Sequence, residues 1–273
     1  MLALVVDVAV DEVELGSDAL WALGVLAVEE RSGGAGRIEL WTSLGNDRDV
    51  VLAAVADFPD RWHSRFEEVD DAVVDTWREH ARPTWIDDEL VVWPTWLGEA
   101  AGLDGTIVLR IDPGATFGMG DHPTTVLSLQ AVRALVSADL APTVLDVGCG
   151  SGVLAIAAAR LGADRVDAID LSPAAEAMTG ENARRNSVDH LVHASNTPLQ
   201  HVTGIYDIVL ANILAPVLIE LAADLRRVLA PDGTLVVSGI LAERHDHVLA
   251  ALEPLRVVAV RERDGWVAVS LRA

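Results

Sequence analysis

Lysine is missing altogether: all 20 basic residues of the 273-residue chain are arginine, set against 42 aspartates and glutamates. That absence excludes a phosphate-loop lysine, a Schiff-base lysine and a lysine nucleophile together. The formal net charge of −22 also argues against a direct nucleic-acid partner, because neutralising phosphates needs a basic face and this surface repels a polyanion. A single cysteine, Cys149, leaves no internal disulfide and no cysteine-rich zinc site. Long apolar runs are missing as well. The longest, around Ile208–Ile219, is broken by Asn212 and is too short to span a bilayer. The start, Met1-Leu-Ala-Leu-Val-Val-Asp7, has no basic region ahead of its apolar residues, unlike a signal peptide. A soluble, cytoplasmic protein with no membrane partner is expected. With 51% hydrophobic and 23% charged residues the chain is neither disordered nor collagen-like, and its length suits one or two domains with sizeable cores.

Composition shifts along the chain. Residues 1–105 carry 23 carboxylates against seven arginines, and seven of the eight tryptophans lie before residue 97. Two readings stand side by side: an acidic solvated face over a tryptophan-containing core, or a docking domain for a basic partner, with Trp anchors and carboxylates that steer association. Alternation and turn signals give strands over Leu2–Val10, Val25–Arg31, Arg37–Thr42 and Trp62–Val69. Helices fall between them over Ser17–Leu23, capped by Ser17 or Asp18 and ended by Gly24, and over Asp49–Phe58, stopped by Pro59. The order β-α-β-β-α-β is the ferredoxin-like pattern, expected over residues 1–70. A linker follows over 71–105, with a helix over Asp70–Ala81 and a strand over Glu89–Trp93.

Beyond residue 106 the rhythm changes to strands alternating with longer helices. Strands are expected over Ile107–Ile111, Thr143–Val147, Arg165–Ile169, Leu191–Ala194, Tyr206–Ala211, Gly233–Ser238, Arg256–Glu262 and Trp266–Leu271. Helices are expected over Pro123–Val136, Gly152–Leu161, Pro173–Asn186, Ala215–Leu229 and Glu243–Leu252. Such alternation makes an α/β domain, 106–273, with a parallel sheet wrapped on both faces by helices. Asp264-Gly265 joins the last two strands as a hairpin, so the final strand runs antiparallel at or near an edge.

Chemistry concentrates where the strand ending at Val147 meets the next helix. Asp146 is followed by Gly148, Gly150 and Gly152, and glycines at a strand-to-helix turn let backbone approach a ligand closely. The spacing is G-x-G-x-G, not the G-x-G-x-x-G of dinucleotide folds. The next strand ends on Asp170, a carboxylate able to accept both hydroxyl hydrogens of a ribose; the plainer role is a cap for the following helix with Ser172. Turn and acid together indicate an adenosyl ligand. His122 can be read as a base or as a structural residue before Pro123, and Trp93 and Trp96 as a wall near the site or as core. His245 and His247 face opposite ways on a helix and make no metal pair; no metal site is expected.

Asp146–Gly152 with Asp170 resembles the first motif and following acid of S-adenosylmethionine-dependent methyltransferases. Asp112-Pro-Gly-Ala-Thr-Phe-Gly-Met-Gly-Asp-His-Pro-Thr-Thr125 resembles the loop ahead of the core in the bacterial ribosomal protein L11 methyltransferases (the PrmA family), and Ala211-Asn-Ile-Leu-Ala215 resembles that family's Asn-Ile-Leu-Ala motif. The resemblance implies a Rossmann-like, seven-stranded methyltransferase sheet and a small α+β ferredoxin-like domain that recruits substrate. It implies S-adenosyl-L-methionine as cofactor and ribosomal protein L11 as substrate, methylated on lysine or amino-terminal amines. It also implies cofactor contacts at Thr125, Gly148, Asp170 and Asn212, with Asn212 beside the incoming amine. Catalytic acid–base residues remain unassigned. The chain departs from the family pattern at Met119 and Asp121, where threonines are usual, and Asp75–His80 keeps one tryptophan where many members carry two. A methyltransferase for another protein or a small amine is the nearest alternative, marked by activity on a small molecule without the amino-terminal domain. A non-catalytic cofactor-binding or ribosome-binding module is the alternative of another class, marked by cofactor binding without turnover.

Overall fold

Leucine and valine at alternate positions make β1 (Leu2–Ala9) the centre of the amino-terminal sheet, with Leu4, Val6 and Val8 buried on one face. A 3-10 turn over Val10–Glu12 leads into α1 (Val13–Ala22), followed by β2 (Glu29–Gly34), β3 (Arg37–Thr42), α2 (Arg48–Ala54) and β4 (His63–Glu68) in a computed structural model. It describes residues 2–273 apart from 24, 26, 27, 35, 45–47, 69–80, 115, 117, 119 and 137–140. The sheet order β2-β3-β1-β4, antiparallel throughout, is the ferredoxin-like arrangement. Leu20 of α1 and Val51 of α2 pack with Leu4, Val6, Val8, Leu40 and Trp62 in one core.

Several expected bounds move; the second helix, expected over Asp49–Phe58, runs over Arg48–Ala54, and the strand expected over Gly233–Ser238 extends over Leu229–Leu241. The first helix begins at Val13, not Ser17, because Asp11 and Glu12 in the entering turn favour the positive end of a helix. Gly16 lies inside the helix, where a Cβ would come within 2.7 Å of Leu40 Cδ1, so it permits close packing instead of marking a boundary. The strand expected over Val25–Arg31 runs over Glu29–Gly34, with residues 26 and 27 outside the described ones. The helix expected over Asp70–Ala81 lies outside them too, except for Ala81.

The chain divides into two compact units, Met1–Ala81 and Arg82–Ala273. The second opens with β5 (Thr84–Trp85), β6 (Leu90–Pro94) and β7 (Ile107–Ile111), a separate three-stranded sheet that takes in part of the expected linker. Ile107–Ile111 is therefore not a strand of the main sheet: it pairs in parallel with β6. The main sheet is built from β8 (Thr143–Val147), β9 (Arg165–Ile169), β10 (Val192–Ser195), β11 (Tyr206–Asn212), β12 (Leu229–Leu241), β13 (Arg256–Arg263) and β14 (Trp266–Arg272), in the order β10-β9-β8-β11-β12-β14-β13. β14 runs antiparallel to both β12 and the edge strand β13, as the hairpin at Asp264-Gly265 requires.

Helices cover both faces: α3 (Pro123–Leu135), α4 (Val153–Leu161), α5 (Pro173–Arg185), α6 (Ala215–Arg227) and α7 (His245–Ala251). Successive residues of one strand feed two cores. Val144, Ile208 and Leu210 pack with Leu129, Ile156 and Ala183 of α3, α4 and α5. Leu145, Val209 and Ala211 pack with Leu218, Leu225 and Val248 of α6 and α7. Burial on both faces explains why these strands are near-continuous apolar runs, and why a polar residue within one is conspicuous. No helix among the described residues is long and apolar enough to cross a membrane.

Candidate active site

The turn from β8 into α4 is Gly148-Cys-Gly-Ser-Gly152. Gly148 has φ 73°, a left-handed conformation that side chains disfavour, and a Cβ there would lie 2.3 Å from Ile213 Cγ2. Two backbone bonds tie the turn to the neighbouring strand: Gly148 N and Cys149 N both donate to Ile169 O, at 2.8 and 3.1 Å. Gly152, at the helix entry, has no side chain with which to cap α4. Asp146 does the work from within β8, its Oδ2 accepting from Ala155 N at 3.1 Å. The other oxygen, Oδ1, is buried without a partner. Burial pushes the Asp146 carboxyl up to about 7, the Ala155 N–H opposes that rise, and the nearby negative charge of Asp170 adds to it.

Asp170 follows β9. Its Oδ2 accepts from Gly150 N at 3.0 Å and its Oδ1 from Ser172 N at 2.9 Å. The capping role foreseen as the plainer reading is not what it does: the helix is entered at Ser172 with no side-chain cap, and Asp170 instead ties the residue before the helix to the glycine-rich turn, each carboxylate oxygen keeping a further lone pair. Asn212 ends β11 opposite Ser238 of β12. Ser238 Oγ lies 2.9 Å from Val267 O and 3.4 Å from Thr124 O, linking that strand end to the first turn of α3. Thr125, the next residue, is 1% exposed, and its Oγ1 has no partner. Gly148 and Asp170 are thus joined through the turn, and Ser238, the register partner of Asn212, reaches Thr124, the residue before Thr125, at the carboxyl edge of the sheet where open α/β folds bind ligands.

Sequence reasoning passed over three contributors. Gly239 is one: a Cβ there would meet Ile213 O at 2.4 Å, so the residue after Asn212 is packed between Gly148 and Gly239. Ser238 is the second, and the Ser-Gly pair interrupting an apolar strand was the available signal. Leu171 is the third, 78% exposed beside Asp170; an apolar residue directly after a strand-end acid could have flagged it.

His122 serves as a helix cap. Its Nδ1 accepts from Thr124 N at 3.3 Å and stands 2.8 Å from Thr124 Oγ1, while its ring meets Trp266 edge-on with centroids 5.2 Å apart. Burial lowers its pKa, against the raising effect of Asp121, and its Nδ1 is taken up by the Thr124 N–H, which supports the structural reading over the base. The Cys149 thiol is pushed upward by burial and stays protonated. Trp93 and Trp96 are half-buried, and Trp93 Nε1 donates to Gly98 O at 3.1 Å. Met119 and Asp75–His80 lie outside the described residues.

A seven-stranded sheet with this strand order, an antiparallel penultimate strand and a glycine-rich turn at its carboxyl edge defines the class of Rossmann-like methyltransferase folds. The sequence profile of the family described as ribosomal protein L11 methyltransferase (PrmA) matches residues 46–273, and the chain belongs to that family. The ribosomal protein L11 methyltransferase of Geotalea daltonii is 44% identical over 206 residues, 71% of this chain and 65% of the relative, just under two thirds of its length. That of Symbiobacterium thermophilum is 41% identical over 235 residues, 85% of this chain and 74% of the relative. The crystal structure of the ribosomal protein L11 methylase from Lactobacillus delbrueckii subsp. bulgaricus superposes with a TM-score of 0.64 at 32% identity, covering 70% of this chain and 98% of that one.

Proposed function

We propose that the chain is an S-adenosylmethionine-dependent protein N-methyltransferase that acts in the cytoplasm on lysine or amino-terminal amines of ribosomal protein L11. The observation that carries this reading is the gathering of a ribose-capable acid, a glycine turn and two buried, unpartnered polar atoms at one sheet edge. The donor set fits the cofactor. Asp170 keeps lone pairs for a ribose diol, Leu171 offers an apolar surface for a purine, and Gly148 has no side chain to hold a ligand off. Asp146 Oδ1 and Thr125 Oγ1 are buried polar atoms that lack partners, as expected of groups that serve an amino-acid moiety or a water beside it.

When bound, S-adenosylmethionine supplies an electrophilic methyl group with its own sulfonium leaving group. The chain's part is alignment and exclusion of water. An attacking amine must be neutral, although a free lysine titrates near 10.4, and desolvation in a closed site favours that form. The Asn212 amide can accept an N–H from such an amine and aim its lone pair, which needs no strong base. With Nδ1 of His122 engaged by Thr124, no residue is assigned as a general base. The substrate reading is supported by the family and by the acidic amino-terminal portion, whose field would draw in a basic ribosomal protein.

The test is transfer of labelled methyl from S-adenosylmethionine to purified L11. The chain contains no lysine, so label recovered as methyl-lysine comes from the substrate and never from self-modification. Asp170→Ala is expected to abolish both cofactor binding and transfer. Asn212→Ala is expected to lower turnover by roughly a hundredfold while cofactor affinity changes less than about threefold; equal losses in both would remove the alignment role. Cofactor binding without transfer to L11 would move the substrate to another protein or a small amine. Failure to bind the cofactor would overturn the proposal.

A further inference from the structure

β7 pairs with β6 along one edge, so the backbone groups of its other edge need partners from elsewhere. Two asparagines at the end of α5 provide them. Asn186 Oδ1 accepts from Arg110 N, and its Nδ2 donates to Arg110 O, both at 2.8 Å. One helical turn earlier, Asn182 Oδ1 accepts from Asp112 N at 3.1 Å and Nδ2 donates to Asp112 O at 2.7 Å. Residues two apart on a strand are about 6.7 Å apart and residues four apart on a helix about 6 Å, so an i, i+4 pair of amides can mimic a neighbouring strand.

Asn182 does more than Asn186. Its second amide hydrogen goes to Ser151 O at 3.0 Å, inside the glycine-rich turn, and Arg185 Nη1 donates to its Oδ1 at 2.9 Å. Two donations and two acceptances use the full capacity of the amide and fix its orientation, because a flip would set donors against the N–H groups of Arg185 and Asp112. The side chain is 0% exposed. Asp112 opens the loop that runs to His122 and Thr125, and the same loop is fastened again where Ser151 Oγ donates to Gly118 O at 2.6 Å. Among the described residues, the Asn186 side chain holds β7 and, through a bond to Asn182 O, its own helix.

We propose that Asn182 is a positioning residue of the cofactor site, a single buried amide that sets the spacing between the loop of residues 112–122 and the glycine-rich turn. The loop leads to Thr125 and the turn carries Gly148, so the two walls that would hold the amino-acid end of the cofactor are tied by this amide, with the Ser151 hydroxyl as a second fastening. The inference rests on the cofactor reading for its consequence and on the hydrogen bonds for its geometry.

Three full-length variants test it: Asn182→Ala, Asn186→Ala as control, and Ser151→Ala, which removes only a hydroxyl. Backbone hydrogen exchange over residues 112–122 is read without cofactor. Affinity for S-adenosylhomocysteine is read by calorimetry well below each variant's unfolding midpoint. Removing one partner leaves buried donors and acceptors unsatisfied, which weakens what they hold. Asn182→Ala is therefore expected to speed exchange in that loop, and to weaken affinity, by roughly tenfold or more, while turnover at saturating cofactor falls less than about threefold. Ser151→Ala should shift both in the same direction by less. Asn186→Ala should lower the unfolding midpoint yet leave loop exchange and affinity within about twofold. Equal effects of Asn182→Ala and Asn186→Ala on affinity, or unchanged loop exchange in Asn182→Ala, would overturn the proposal. If Asn182→Ala does not fold, Asn182→Asp, which keeps the accepting oxygen and loses the two amide donations to Asp112 O and Ser151 O, takes its place, and unchanged loop exchange in that variant overturns the proposal. Loosening of the loop as expected, in a wild-type protein that binds no S-adenosylhomocysteine, would uphold the latch and sink the cofactor reading instead.

Discussion

The four-stranded sheet sets Leu4, Val6, Val8 and Leu40 toward α1 and α2, while its other face bears Asp7, Glu39, Trp41 and Arg65. In the seven-stranded sheet, β8 and β11 are apolar on both faces and feed two separate cores. A charge therefore means different things in the two places. Glu39 is ordinary: it accepts from Trp41 Nε1 and Arg65 Nη2, both at 2.9 Å, and Arg31 lies 4.1 Å above the Trp41 ring. These contacts hold the carboxyl of Glu39 below its usual range, Trp41 contributing most. Asp146, buried between helices and strands with one oxygen unpartnered, has no such company. In a sheet covered on both sides, a lone carboxylate marks a site; in one covered on a single side, paired charges are the expected surface.

The sharpest challenge to that contrast is Leu210→Ala. Leu210 is 0% exposed within the larger core, and its truncation should cost about 3 kcal/mol, read from a urea midpoint. A loss below about 1 kcal/mol would mean that β11 is not packed on both faces.

Asp146 comes next. The folded protein holds its proton up to about pH 7, whereas an unfolded aspartate releases it near 3.9. The native state thus binds more protons between those values, and this group makes stability fall as pH rises through the window, levelling off above it. Between pH 5.5 and 7 the contribution is about 2 kcal/mol. Asp146→Asn should remove that slope, leaving the variant more stable than wild type at pH 8. An unaltered slope in denaturation curves across pH 5.5–8.5 would show that the carboxylate is solvated.

Arg31→Ala, in the amino-terminal sheet, should change stability by less than about 1 kcal/mol, with the difference shrinking in added salt, as for exposed ion pairs and cation–π contacts. A larger or salt-insensitive loss would make that face a packed one and blur the contrast.

Much of this architecture was legible. The strands over Thr143–Val147 and Arg165–Ile169 keep the expected bounds because apolar runs closed by Asp or Gly leave little choice of ends. The β-α-β-β-α-β order and the terminal hairpin were readable from turn residues. Ser17 misled, since a capping residue ahead of an apolar run resembles a helix start; the close approach of α1 to Leu40 at Gly16 leaves no trace in local sequence. Ile107–Ile111 has the periodicity of a core strand, and nothing within its five residues says which sheet it joins. At the site, Thr125, Gly148, Asp170 and Asn212 were named from motifs, while Gly239 and Asn182 were not, because their partners lie 26 and 70 residues away.

Residue chemistry and spacing were enough to establish which groups this chain can use: arginine but no lysine, a lone cysteine, a glycine turn with acids before and after it. Those are properties of local sequence, set by backbone freedom and side-chain functional groups. Tertiary structure alone decided which of them are buried without partners. Asp146 becomes a shifted, half-satisfied carboxyl only when helices close on both faces of β8, and Asn182 becomes a clasp only when α5 lies against the free edge of β7. Desolvation and hydrogen-bond completion depend on neighbours distant in the chain, and those neighbours are present only once it has folded.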